Sequence, residues 1–167
     1  ISIGLVTLNA KFVHSSLSIR YLRNATKNNG FDNVWIQEFV TSQPIWKIAA
    51  EILKQKPRIL GVSVYIWNRR QSLELIERLK KQDPTIAIVL GGPEVSFDMN
   101  STELYTVIAG EGEAKWIEFL EHFKKKSIPS AETLKDWESY GTNLPELPPA
   151  YIEEDLIQLK NRIVYLE

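Results

Sequence analysis

Short, nearly continuous apolar runs alternate along the chain with longer stretches in which apolar residues recur every three or four positions. That alternation predicts βα units on a parallel sheet, since strands buried on both faces show no polar alternation and each crossover needs a helix. Five runs qualify as strands: Ile3 to Leu8, Val34 to Phe39, Ile59 to Val64, Ile86 to Leu90 and Thr106 to Ala109. The first helix follows Ser15 and Ser16, either able to cap it, places Leu17, Tyr21, Leu22 and Ala25 on its buried face, and ends near Gly30. The second opens with Ser42-Gln43-Pro44, with proline in the first turn, buries Ile45, Ile48, Ala49 and Ile52, and stops before Pro57. The third runs from Asn68 through Leu73, Ile76 and Leu79 to the Asp83-Pro84 stop. Between Pro93 and Tyr105 there is only a short apolar element around Leu104, which reads as a loop. The last helix follows Gly110-Glu111-Gly112-Glu113 and turns Trp116, Phe119, Leu120 and Phe123 inward.

From about residue 126 the period fades, and Pro129, Pro145, Pro148 and Pro149 are half of the 8 prolines. Residues 126 to 150 therefore read as linker. A short helix or turn from Glu153 to Leu159 and a strand from Arg162 to Leu166 are expected after it, the strand with no partner unless it pairs on a sheet edge. The run Lys124-Lys125-Lys126 reads as a solvated helix end favoured by the helix dipole.

Composition narrows the function. With 44% hydrophobic and 25% charged residues the chain is globular, and a net charge of -1 leaves no basic excess to neutralise nucleic-acid phosphates. The absence of cysteine excludes a thiolate zinc site, an iron-sulfur ligand set or a cysteine nucleophile within these 167 residues. No stretch approaches the ~20 apolar residues of a membrane helix, and no secretory signal is present, so the cytoplasm is expected, with neither membrane nor nucleic acid as a partner. The start lacks methionine and the end falls in an apolar, strand-like segment, which predicts a fragment.

Ligands of open parallel sheets sit beyond the carboxyl ends of the strands, where the strand order reverses. The loops there carry Asn9, Lys11 and His14 after the first strand, Tyr65 and Trp67 after the third, Gly91, Gly92 and Glu94 after the fourth, and Gly110, Glu111 and Gly112 after the fifth. The glycine pair means either a tight turn or a close approach by a ligand. Tyr65 and Trp67 could lie against a flat ring system or close the top of the core. Glu113 suits a helix N-terminus, where it would also repel an anion. His14 beside two serines is a capping or surface group before it is a ligand, and His122 is expected to face solvent. No Walker loop, G-x-G-x-x-G or H-E-x-x-H motif occurs, and a receiver-like site fails because Asn9 and Tyr65 stand where acids are needed.

In order, VTLNAKFVHSSLSIRYL, GVSVYIWN, VLGGPEVS and VIAGEGEAKWIEFL resemble the N-terminal cobalamin-binding domain of cobalamin-dependent radical S-adenosylmethionine enzymes, a group that includes the anaerobic magnesium-protoporphyrin monomethyl ester cyclases. The resemblance covers residues 1 to about 125, while residues 126–167, with LPELPPAYIEEDL (144–156) and NRIVYLE (161–167), look like the connection to a C-terminal radical domain. It implies a three-layer, flavodoxin-like or Rossmann-like α/β fold, with a five-stranded parallel sheet of order 2-1-3-4-5 and a corrinoid across the strand ends. Catalysis, a 4Fe-4S cluster and S-adenosylmethionine would belong to the parent enzyme, a methyltransferase or oxidative cyclase. On this resemblance Gly91 and Gly92 let the nucleotide tail pass the backbone, and Ser63 matches the small polar residue of the third-strand motif. Replacing Gly92 by leucine is expected to abolish binding and spare the fold. Where mutases and methionine synthase carry D-x-H-x-x-G, this chain has Asn9, Lys11 and His14, and Tyr65 replaces the usual leucine. The departure implies cobalamin held without a protein imidazole. A flavin or nucleotide carrier and a non-catalytic interaction module share the fold and remain the alternatives.

Overall fold

The computed structural model describes residues 1–96, 99–125 and 149–165. In chain order its elements are β1 (Ile3–Asn9), α1 (Leu17–Asn28), β2 (Val34–Val40), α2 (Ile45–Lys54), β3 (Ile59–Ser63), α3 (Arg69–Gln82), β4 (Ala87–Gly91), α4 (Pro93–Ser96), β5 (Thr106–Val107), α5 (Glu113–Lys125) and α6 (Glu153–Gln158). The strands form one parallel sheet in the order β2-β1-β3-β4-β5, as the resemblance implied.

All seven residues of β1 are buried, so the apolar run does what its composition dictates and takes an interior place in the sheet. Leucine, isoleucine and valine side chains from alternate strand positions feed two cores. One, built on Val6, Leu8, Leu60 and Val62, packs under α2 and α3; the other, built on Ile3, Leu5, Ile59 and Val89, packs under α1 and α5. On α2 the buried residues are the expected Ile45, Ile48, Ala49 and Ile52, with Pro44 at the N-cap rather than inside the first turn. On α5 Trp116, Phe119 and Leu120 are buried, Phe123 is half-buried, and His122, expected in solvent, is half-buried as well. Lys124 and Lys125 are exposed in its last turn; Lys126 and the greater part of the expected linker lie outside the described residues.

Three expectations change. The stretch read as a loop after β4 contains the single helical turn α4, begun by Pro93 and anchored by the fully buried Val95. The fifth strand is shorter than its apolar run. On its outer side the Val107 N–H bonds the Ser101 hydroxyl at 2.9 Å, which occupies that donor of the edge strand. The third change is the buried face of α1, which consists of Ile19, Arg20, Arg23, Asn24, Ala25 and Thr26, while Leu17, Tyr21 and Leu22 are half-buried. Neither serine caps this helix through its side chain.

Arg20 and Arg23 turn inward because their partners come from remote parts of the chain. Arg23 makes a two-pronged bond with Asp155 of α6, at 2.7 and 2.6 Å, and Arg20 makes one with Glu38 of β2, at 3.2 Å to each oxygen. The Asn24 amide adds a bond to the Ala150 carbonyl at 3.1 Å. Residues 149–165 thus dock against α1. The expected strand from Arg162 is reduced, among the described residues, to one parallel bridge between Ile163 and His14; Leu166 lies outside them.

Burial alone would push the Asp155 carboxyl up, but hydrogen bonds from Arg23 and the Ile152 N–H and the charges of Arg23 and Arg20 outweigh it and hold the group below its ordinary value of 3.8. A depressed carboxyl contributes its full stabilisation above the unfolded value and loses it as pH falls through the lower folded one. Asp155→Asn should therefore cost about 3 kcal/mol at neutral pH. Urea titrations of both proteins should show that difference constant above about pH 5 and shrinking on further acidification.

Candidate functional site

The sheet order reverses between β1 and β3, and beside that reversal a cavity of about 150 Å³ opens between the sheet, α1 and α5. Its floor is apolar, with Leu5 and Val89 from the strands and Ile19 and Leu22 from α1. Trp116 of α5 forms one wall. Its indole N–H bonds Thr26 Oγ1 at 2.8 Å, which fixes the ring, and Gly61 gives it room, since a Cβ there would lie 3.3 Å from the ring and 2.7 Å from Leu5.

The rim is built of glycines and hydroxyls. Gly91 ends β4 and Gly92 follows it, and Gly110, Glu111 and Gly112 lead into α5, which Glu113 begins. The two glycines of the pair do different work. Gly92 has φ +114°, and a Cβ on it would sit 2.5 Å from the Val64 carbonyl oxygen, so the turn itself demands glycine. At Gly91 a Cβ would meet nothing nearer than the Ile108 carbonyl at 3.9 Å, so glycine there leaves space open rather than relieving a clash. The Gly92 geometry opposes the expectation that leucine at this position spares the fold. The loops after β4 and β5 are joined through Ser96, whose hydroxyl donates to the Gly92 carbonyl at 2.9 Å and accepts from the Gly110 N–H at 3.1 Å.

Opposite stands a group of hydroxyls. Ser18 Oγ lies 3.2 Å from Ser16 Oγ, 3.1 Å from Ser63 Oγ and 3.2 Å from the Tyr65 hydroxyl. Tyr65 stacks on Trp67 with ring centroids 4.6 Å apart and planes 4° from parallel. Trp67 is 50% exposed and Ile66 78%, so these aromatics do not close the core; they present a flat apolar surface at the strand ends. Asn68 holds the loop beneath them, its Oδ1 accepting from the Tyr65 N–H at 2.8 Å and its Nδ2 donating to the Leu8 carbonyl at 3.0 Å.

Of the residues singled out by sequence, Ser63, Gly91, Gly92, Gly110, Glu111 and Gly112 converge on the cavity, and Tyr65 reaches it through Ser18. Glu94 instead pairs with Arg69 at 2.9 Å beside α4. Asn9 ends β1, and Lys11 and His14 belong to the loop after it; all three lie outside the cavity lining. Asn9 is buried and its amide donates to the His14 carbonyl at 3.0 Å; Lys11 is exposed; His14 Nδ1 lies 2.8 Å from the Tyr165 hydroxyl. Sequence reasoning missed Ser18, the second residue of α1, which carries no local mark of its orientation, and Trp116, which has the spacing of a core residue and is both core and wall.

No helix among the described residues is long and apolar enough to cross a membrane. The family model for the B12 binding domain matches residues 3–119. The cobalamin-dependent radical SAM methyltransferase TokK of Streptomyces tokunonensis is 26% identical over 116 residues, which cover 63% of this chain and 17% of that protein. Among solved structures, the methanol:cobalamin methyltransferase complex MtaBC from Methanosarcina barkeri matches with a TM-score of 0.63 at 15% identity, over 83% of this chain and 52% of that one. The cobalamin-dependent S-adenosylmethionine radical enzyme OxsB matches with a TM-score of 0.57 at 19% identity, over 74% of this chain and 19% of that one. At such identities the two structures share the fold, and the chain spans a small part of the length of TokK. The family model covers well over half of the chain and ends within α5, the helix that closes the cavity: the chain belongs to the B12-binding domain family.

Proposed function

We propose that this domain holds a corrinoid across the carboxyl ends of its strands, with the nucleotide tail in the cavity between the sheet, α1 and α5, and that it serves a cobalamin-dependent radical S-adenosylmethionine enzyme. The observation that carries the reading is the cavity at Gly91: a slot open at its rim, apolar at its floor, and bounded by a position where a side chain would fill the space. Cavities on the order of 150 Å³ with apolar linings take up a benzene-sized ring, which suits the heterocyclic base of a corrinoid tail. Ser18, Ser63 and Tyr65 offer hydroxyls to its polar atoms, and Gly91 and Gly110 leave the backbone accessible beside it. Tyr65 and Trp67 offer a flat apolar surface for the ring system.

When bound, the cobalt centre supplies the capacity to carry a methyl group or to change oxidation state, which no side chain of this chain can supply. The chain's own residues bind and orient. His14 is engaged by Tyr165, in keeping with a corrinoid held without a protein imidazole on cobalt. The relationship to TokK supports a parent that uses S-adenosylmethionine for methyl transfer; a 4Fe-4S cluster in a C-terminal domain following residues 126–167, and the alternative of an oxidative cyclisation like that of the magnesium-protoporphyrin monomethyl ester cyclases, rest on the sequence resemblance. Small-molecule chemistry in the cytoplasm, with no nucleic acid or membrane as partner, completes the reading.

Incubation with hydroxocobalamin followed by gel filtration should leave a coloured protein with a base-off spectrum, whereas the same treatment with flavin mononucleotide should leave it colourless. Retained flavin and no retained corrinoid would overturn the assignment. Gly91→Leu should fold with near wild-type stability and retain at least ~10-fold less corrinoid, about 1.4 kcal/mol of lost binding. Gly92→Ala should lose about 2 kcal/mol of stability in urea titrations from backbone strain and overlap with Val64. Equal corrinoid retention by Gly91→Leu would remove the cavity from the site.

A further inference from the structure

A single carboxylate grips both ends of the loop that joins β1 to α1. Glu38 lies opposite Thr7 in the β1–β2 register, and its side chain is 6% exposed. Its Oε1 accepts from the Asn9 amide at 3.4 Å, where the loop leaves β1, and from the Ser16 backbone N–H, where the loop enters α1. Arg20 clamps both oxygens from α1. Oε2 accepts a further bond of 2.6 Å from Arg162, which belongs to the docked C-terminal segment.

Arg162 carries the connection on to the loop's tip. Its Nε donates to the Phe12 carbonyl at 3.0 Å, and its guanidinium lies over the Phe12 ring, 4.6 Å from the centroid. The neighbouring residues repeat the attachment. The Ile163 N–H donates to the Val13 carbonyl at 2.6 Å, the Ser15 hydroxyl donates to the Ile163 carbonyl at 2.7 Å, and the Tyr165 hydroxyl meets His14 Nδ1 at 2.8 Å. Residues 12–15 therefore each make at least one hydrogen bond to residues 162–165, and the loop owes its shape to a segment about 150 positions away. Loss of Glu38 would leave two buried guanidiniums short of a counter-charge, a large penalty for the whole fold. Loss of Arg162 leaves the Arg20–Glu38 pair standing and cuts only the path to the loop tip.

We propose that Glu38 and Arg162 are positioning residues for the corrinoid face: docking of residues 162–165 sets the conformation of residues 10–15, so that segment docking and cofactor binding are thermodynamically linked. The inference rests on the corrinoid reading for the ligand, but the tie between segment and loop stands on its own contacts. Linkage is reciprocal, so a cofactor that prefers the docked loop must also tighten the segment.

Hydrogen–deuterium exchange on the whole chain, wild type and Arg162→Met, with and without hydroxocobalamin, tests both parts. Without cofactor, Arg162→Met should speed exchange of residues 10–15 and 160–165 by about tenfold or more, because a bond to a charged group no longer opposes local opening. Exchange in β3 and β4 should not change, which separates this effect from general destabilisation. Unchanged exchange in residues 10–15 overturns the tie. With hydroxocobalamin, wild type should slow exchange in residues 160–165, and Arg162→Met should bind several-fold more weakly. A wild type that binds hydroxocobalamin with no response in residues 160–165, or an Arg162→Met protein that binds equally well, overturns the linkage. A wild type that retains no corrinoid overturns the ligand assignment and the linkage with it, while the cofactor-free comparison still decides the tie.

Discussion

Burial of β1 on both faces constrains everything built around it. A strand without a solvent-facing position must have a neighbour on each edge and a helical layer on each side, and β2, β3 and the two pairs of helices supply these. Because the chain goes first to one side of β1 and then to the other, the connections at its carboxyl end diverge and leave a crevice. The cavity, its glycine rim and the aromatic surface at the strand ends all occupy the ground opened by that divergence.

What keeps the crevice from filling is a matter of small residues at chosen places. Gly61 lets the Trp116 ring settle against the sheet, so that the indole walls the cavity without crossing it. Gly91 adds nothing to the slot's edge. Gly92 serves the turn that carries the rim, and the Ser96 hydroxyl ties that turn to the next loop. The fold thus spends glycine for two distinct reasons at adjacent positions, one conformational and one spatial.

The sheet, the placement of its strands and most helix faces were legible in the sequence because they rest on local periodicity: Ile45, Ile48, Ala49 and Ile52 could face only one way. The buried face of α1 was not legible. Nothing in the local pattern turns Arg20 and Arg23 inward, because their carboxylates lie 18 and 132 residues away. The glycine pair was legible as important but not as divided in role, since φ and the distance to Val64 have no trace in composition. Ser18 and Trp116 escaped notice as site residues because a hydroxyl near a helix start and an aromatic at core spacing have ordinary explanations, which also hold here. The docking of residues 149–165 was invisible for the same reason as the arginines: it is written in pairs, not in runs.

The loops at the carboxyl end of the sheet differ in how far apart in the chain their fastenings lie. The rim on the β4 and β5 side is closed by bonds between residues only 4 and 14 positions apart. The loop after β1 is fastened by bonds spanning 124 and 148 positions. On a ribosome, where a chain emerges from its N-terminus, the first loop to be made is thus the last to be finished. The sheet can assemble first, and the loop after β1 takes its final form only after residue 165 has been added.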